Sequence, residues 1–336
     1  MNISATCFTS KEIKALAENH PKKGVCDFSG SSDFVFDFQE LIPFFDEFLG
    51  FFEPSIDGSS LYETIQDNWS LFTKPSLAKP ILDRAAELSG HTSLLSSQVS
   101  YKLELLEPRE KWDAIKTELI TKRRFFSGEL VADEDKWDVF FNANNVIEKD
   151  EVFYRGRINS QKDKIYSDED GLGMPPPFYA TAGRANVSGI PYLYLTKDID
   201  TVMYECRASS GDHISIGQFC TANTIPVVDF TFNPDLYHAF NSITLDLKTT
   251  IQQYLFFELI SKDLSKPIRR YDNKDLDYLP TQFVCEYIRL VAGQKGIVFA
   301  SSQHPSGKNL VLFDQNDVRF VKAIQKVVGS IEMHYE

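Results

Sequence analysis

Apolar positions recur at helical spacing through residues 35–145. In "DFQELIPFFDEFLGFF" Leu41, Phe44, Phe45, Phe48, Phe51 and Phe52 follow that period, and Pro43 sits where a first helical turn tolerates it. "SSLYETIQDNWSLF" puts Leu61, Ile65, Trp69 and Phe72 on one face, with Ser60 and Glu63 spaced for a capping box. "KPSLAKPILDRAAELSG" predicts a helix that starts on proline and ends at Gly90, and "PREKWDAIKTELITKRRFF" predicts another. The 35–145 stretch therefore reads as mostly helical. Residues 1–33 read as a polar head containing Cys7, His20 and Cys26.

The period changes near residue 150. "EVFYRGRI" alternates like a strand, and the polar run after it ends in the loop "GLGMPPP". "IPYLYLT", "HISIGQFC", "IPVVDFTF", "KGIVFASSQ" and "KNLVLFD" predict strands. "DIDTVMYECRA", "TLDLKTTIQQYLFFELISKDL" and "PTQFVCEYIRLVAG" predict helices, the first capped by Asp198 or Asp200. The chain thus reads as α+β, a helical domain over 1–148 followed by a mixed α/β domain over 149–336. No repeat or low-complexity tract interrupts it.

Size and charge narrow the function. A chain of 336 residues, 43% hydrophobic and 25% charged, is long enough for two domains with large cores. Its net charge of −13 is concentrated in the first 150 residues, which argues against a nucleic-acid partner. Five widely spaced cysteines do not form a secretory disulfide framework. No run reaches the ~18 apolar residues of a membrane span, and no signal-peptide pattern opens the sequence. A cytoplasmic protein without membrane contact is expected.

The densest chemistry lies in "TAGRANVSGIPYLYLTKDIDTVMYE", residues 181–205. NAD carries a pyrophosphate and a cationic nicotinamide ring, and breaking its nicotinamide–ribose bond leaves positive charge on the ribose. A carboxylate stabilises that charge. A guanidinium grips phosphate at two points, and an aromatic ring stacks on nicotinamide. Arg184, Tyr194, Glu205 and a later serine supply these functions. Gly189 and Pro191 turn the chain between Arg184 and Tyr194, so a strand bearing the tyrosine can lead into a helix bearing the glutamate. Taken singly, each residue has an ordinary explanation: a loop ion pair for Arg184, a sheet position for Tyr194 or Tyr192, a solvated helix for Glu205, a turn for Ser301.

Together and in this order, "GRAN", Gly189, Tyr194, "VMYE", Ser301 in "GIVFASSQ", Gly307 and "NLVLF" resemble the RES-domain proteins, over roughly residues 150–325. The resemblance implies a fold similar to ADP-ribosyltransferase toxins. It also implies an enzyme that destroys NAD, by passing ADP-ribose to water, phosphate or protein, in a bacterial toxin–antitoxin or antiphage setting. It assigns Glu205 as the catalytic carboxylate. Arg184, Tyr194 and Ser301 become its partners in catalysis and NAD binding, and Asn186, Asn309 and Arg155 further NAD contacts. Ser302 competes with Ser301.

Longer proteins of that family carry a HEPN-type helical N-terminal domain, often headed by two Cys-x-x-Cys pairs suited to zinc. Here Ser4 and Ser29 stand where two of those cysteines would be, beside Cys7 and Cys26, so no metal is expected. HEPN ribonucleases use an Arg-x(4–6)-His pair, and Arg84 precedes His91 at a permitted spacing. An RNA-cleaving effector with the second domain as a nucleotide sensor is thus the alternative function, and a non-catalytic interaction protein a third. A cognate antitoxin or other regulator and a second copy of the chain are the expected partners.

Overall fold

The structure, a computed structural model, describes residues 1–18, 22–124, 140–161, 164–267 and 274–329. His20 and the two phenylalanines that end "KRRFF" lie outside the described residues. The chain divides into two units, Met1–Glu110 with Asn233–Phe256, and Lys111–Phe232 with Phe257–Glu336.

The first unit keeps the expected helices, though the first ends at Leu49 and Phe52, expected on its face, begins a strand instead, and it adds short strands. Helices span Ile42–Leu49, Leu61–Trp69 and Pro75–Ser89. The capping box forms: Ser60 Oγ accepts from the Glu63 amide, and Glu63 Oε2 accepts from the Ser60 amide at 3.3 Å. The helix expected from Pro108 starts earlier, spanning Leu103–Thr121 with Pro108 inside it, and its residues from Lys111 on belong to the second unit. Strands β1 (Asn2–Ser4), β2 (Lys23–Val25) and β3 (Ser32–Asp37) form an antiparallel sheet in the order β1-β3-β2. A second sheet, β4-β6-β5, joins β4 (Phe52–Ser55), β5 (Ser59–Ser60) and β6 (Gln98–Tyr101). Elements of two to six residues are too short to display an alternating pattern, which is why the sequence hides them. The core is aromatic: Phe44 stacks on Phe48 at 5.7 Å, and Phe48 meets Trp69 edge-on at 6.4 Å. Leu236, Leu247 and Ile251 join it from the later segment.

The second unit is built on an eight-stranded sheet. Its strands are β7 (Asn145–Ile147), β8 (Val152–Ile158), β9 (Leu193–Thr196), β10 (His213–Thr221), β11 (Ile225–Asp229), β12 (Gly296–Ala300), β13 (Lys308–Leu312) and β14 (Val318–Val327). The order is β14-β10-β8-β9-β13-β12-β11-β7, antiparallel except between β11 and β12. Each apolar run named above becomes a strand. β14, which the hydrophobic pattern does not announce, is a largely solvent-facing edge strand that carries Arg319, Lys322 and Lys326.

One irregularity of this sheet sets the site. β8 and β9 meet at a single residue pair, Tyr154 with Thr196, whereas β8 and β10 pair over seven. The two strands therefore separate beyond that pair. The helix Ile199–Glu205 follows β9 directly, capped by Asp198, whose side chain accepts from the Thr201 amide.

Candidate active site

Four adjacent strands bring the chemistry together. β8 carries Arg155, β9 carries Tyr194, β13 carries Asn309, and β12 leads into Ser301. Glu205 ends the helix that follows β9. Two cavities open here. The smaller, about 230 Å³, is lined by Arg155, Arg184, Tyr194, Glu205, Ser302 and Asn309 among others. The larger, about 560 Å³, includes Arg155, Arg157, Gly173, Tyr179, Asn186 and Tyr194. Arg155 and Tyr194 border both.

Glu205 is exposed, and its two carboxylate oxygens differ. Oε1 accepts from Ser301 Oγ at 2.6 Å and from Asn309 Nδ2 at 2.8 Å. Oε2 receives no hydrogen bond from the described residues. Ser301 and Asn309 are buried, so the carboxylate of this cavity-lining residue is held through one oxygen only. The two serines are placed differently: Ser301 holds the carboxylate, while Ser302 lines the small cavity and accepts from Gln303 Nε2. Ser301 Oγ also accepts from the amides of Gln303 and His304, both at 3.1 Å, which aims its own proton at Glu205.

The "GRAN" loop is held by its own side chains. Tyr194 donates to Asn186 Oδ1 at 2.8 Å and accepts from the Ala185 amide at 3.1 Å. Burial pushes its phenol well above the ordinary tyrosine range. Asn186 Nδ2 reaches the carbonyls of Thr181, Val187 and Ile190. The hydrogen-bonding groups of Asn186 are thus spent on the loop, although the residue borders the larger cavity. Gly183 is required by this packing: a Cβ there would lie 2.6 Å from the Tyr194 hydroxyl and 2.7 Å from Asn186 Oδ1. From 99 residues away Gln282 Nε2 donates to the Gly183 carbonyl, and Thr281 Oγ1 donates to the Arg184 carbonyl at 2.6 Å. Neither residue carries a sequence signal for that task.

The cations complete the site. Arg184 donates to the Lys266 carbonyl and lies 5.8 Å from the centre of the Tyr278 ring. Burial lowers its pKa, and the charges of Tyr278, Glu205 and Tyr194 oppose that shift. Arg155 donates to the carbonyls of Leu172 and Gly173 and has no carboxylate partner among the described residues. Burial, helped by the neighbouring Arg157, lowers it to about 10. Arg157 lies on the same face of β8, donates to the Gly171 carbonyl at 3.0 Å and sits over the Tyr166 ring at 4.2 Å. Sequence reasoning named only Arg155; the two-residue spacing in "YRGR" is the signal that could have added Arg157. Cys206, pushed up to about 11 by burial, lines the small cavity beside Glu205. The arrangement sets a half-free carboxylate against the half-buried Arg155 and Arg184, and so suits a ligand carrying anionic groups and a centre that becomes positive.

The other named residues lie in the first unit. Arg84 pairs with Glu87 at 3.0 Å and His91 with Asp46 at 2.9 Å, and no hydrogen bond joins Arg84 to His91. Cys7 and Cys26 are buried with their sulfurs 3.6 Å apart, and the Ser4 amide donates to Cys26 Sγ. Among the described residues no group of three or more His, Cys, Asp or Glu is placed to hold a metal, and no helix is long and apolar enough to cross a membrane.

An α+β domain with a strand-borne tyrosine and arginine facing a helix-borne glutamate is the class that this fold and site define. The family described as RES domain matches residues 156–335, more than half of the sequence, and the chain belongs to that family. No curated protein and no solved structure matches it.

Proposed function

We propose that the protein cleaves NAD at the nicotinamide–ribose bond, acting as a toxin or effector. The observation that carries this reading is the state of Glu205: Oε1 is held by Ser301 and Asn309 while Oε2 stays free, in a cavity that also presents Arg184 and Arg155. Membership of the RES domain family supports it.

In this reading the pyrophosphate lies against the arginines and the nicotinamide ribose faces Glu205. The bond between ribose C1′ and the ring nitrogen breaks, and the electron pair leaves with nicotinamide, neutralising its charge. The positive charge moves to the ribose, where the free carboxylate oxygen stabilises it. An acceptor oxygen then bonds to C1′ and releases its proton to solvent. Holding Oε1 from behind fixes the carboxylate before reaction, so little reorganisation is needed as charge develops. Water, phosphate and a protein side chain are the acceptor classes. The cellular reading is a growth-arresting toxin or antiphage effector restrained by a cognate regulator.

The test is incubation of the purified protein with NAD, with and without phosphate, following free nicotinamide and the mass of the ADP-ribose product. Nicotinamide release supports the reading, and the product mass identifies the acceptor. An intact fold with no release under either condition rejects it.

A further inference from the structure

The loop 301–307 that carries Ser301 is tied to the helix carrying Glu205 by contacts outside the cavity. Asp198, the cap of that helix, accepts from Thr201 Oγ1 at Oδ2, 2.8 Å away. Thr201 Oγ1 also lies 2.8 Å from His304 Nδ1. A hydroxyl has one proton. Since Thr201 gives that proton to a carboxylate, which only accepts, the contact with His304 requires Nδ1 to be the donor. Nδ1 therefore carries a proton, and Nε2 makes no hydrogen bond with the described residues.

Packing fixes the ring as well. It lies flat on Tyr204, centres 4.8 Å apart and planes 5° apart. Thr201 is fully buried, and the loop closes on it at Gly307. A Cβ on Gly307 would stand 2.6 Å from Thr201 Oγ1 and 3.0 Å from His304 Nδ1, so glycine alone lets the loop approach. The His304 amide then donates to Ser301 Oγ, and Ser301 donates to Glu205 Oε1. The chain of contacts runs from the start of the helix, through the loop, back to the carboxylate at its end.

We propose that Asp198, Thr201 and His304 form a clasp that positions Ser301 against Glu205, with His304 locked in the Nδ1-protonated form as a positioning residue. The catalytic part of this inference rests on the NAD-cleaving reading, whereas the clasp itself does not. Removing the clasp leaves NAD binding to the arginines and loosens the carboxylate, so the turnover number falls and KM holds.

The geometry of histidine substitutions makes the test specific. Asparagine places an amide nitrogen near the position of Nδ1, and glutamine places one near Nε2. His304→Asn should keep most of the turnover, whereas His304→Gln and His304→Leu should each lose about tenfold, with KM within about twofold, as loss of one positioning hydrogen bond would give. Thr201→Ser should resemble the wild type and Thr201→Val should resemble His304→Leu. In a Ser301→Ala background these losses should vanish, because the residue being positioned is gone. Imidazole nitrogen NMR of the full chain should find the proton of His304 on Nδ1, and Thr201→Val should shift it towards Nε2. That measurement needs no turnover, so it judges the clasp even if NAD proves not to be the substrate. A wild-type His304 with no proton on Nδ1, or equal losses with and without Ser301, would overturn the inference.

Discussion

Ser301 Oγ donates to Oε1 of Glu205 at 2.6 Å across 96 residues of sequence. The contact sets Ser301 behind the carboxylate, whereas Ser302 lines the cavity and bonds Gln303 instead. Ser301→Ala should lower the turnover number for nicotinamide release about tenfold with little change in KM, the worth of one charge-assisted hydrogen bond. Asn309→Leu should act in the same direction, and Ser302→Ala should change turnover less than twofold or so. Steady-state kinetics on the three variants check this order, and a reversed ranking of the serines would move the assignment to Ser302.

Tyr194→Phe should destabilise the protein as well as slow it. The hydroxyl answers both Asn186 Oδ1 and the Ala185 amide, and its removal leaves two polar groups unpaired at a cost of about 1–3 kcal/mol. Gly183→Ala should do at least as much harm, since its Cβ would meet the same hydroxyl. Tyr192→Phe keeps the ring packed against Phe313 at 4.8 Å and should be near neutral. Chemical denaturation of the three variants distinguishes a tyrosine that braces the loop from one that only stacks on a ligand.

The sequence made much of this domain legible and left its closure hidden. Tyr194 and Glu205 could be placed on a strand and on the following helix because an apolar run and an Asp198 cap mark that junction. Asn186 was recognisable as part of "GRAN", yet its work as a brace depends on three carbonyls that a one-dimensional pattern does not show. Gln282 and Thr281 hold the loop from a helix read only as apolar and periodic. In the first unit the helices were visible through their 3.6-residue period, while β5, two residues long, has no period to show. Whether Arg84 and His91 serve RNA chemistry was not legible, because a short motif says nothing of the carboxylates that now pair with each.

Arg155→Met should weaken the stabilisation of the protein by NAD. Burial lowers this guanidinium to about 10, so folding without a ligand holds a charge at a cost. An anionic ligand relieves that cost, and methionine has nothing to relieve. In thermal melts the rise in Tm produced by saturating NAD should be clearly smaller in the variant. An unchanged rise would place the phosphates on Arg184 and Arg157.

Cys7 should make the first unit sensitive to alkali. Burial, and next the nearby Cys26, raise its thiol from 9.0 to about 12. Burial pushes Cys26 up too, but hydrogen bonds from Ser29, Phe28 and Ser4 outweigh it and leave that thiol lowered. A raised pKa means that the folded state favours the neutral Cys7 thiol. Its contribution is complete below pH 9.0 and is lost as pH climbs through about 12. Cys7→Ala should therefore lose less stability than the wild type between about pH 8 and about pH 10.5, measured by urea unfolding. Equal losses would show that Cys7 does not titrate in that window. Metal analysis of the same preparations is expected to find no stoichiometric zinc.

Nicotinamide release by Glu205→Gln, compared with the wild type at saturating NAD, bears most directly on the proposed chemistry. Glutamine keeps the shape and can still accept from Ser301, but it lacks the charge that meets the developing positive ribose, an effect on the order of 3 kcal/mol or more. Turnover should fall by a factor of about a hundred or more, while NAD still raises the Tm of the variant. A variant that folds, binds NAD and releases nicotinamide at close to the wild-type rate would contradict the role given to Glu205.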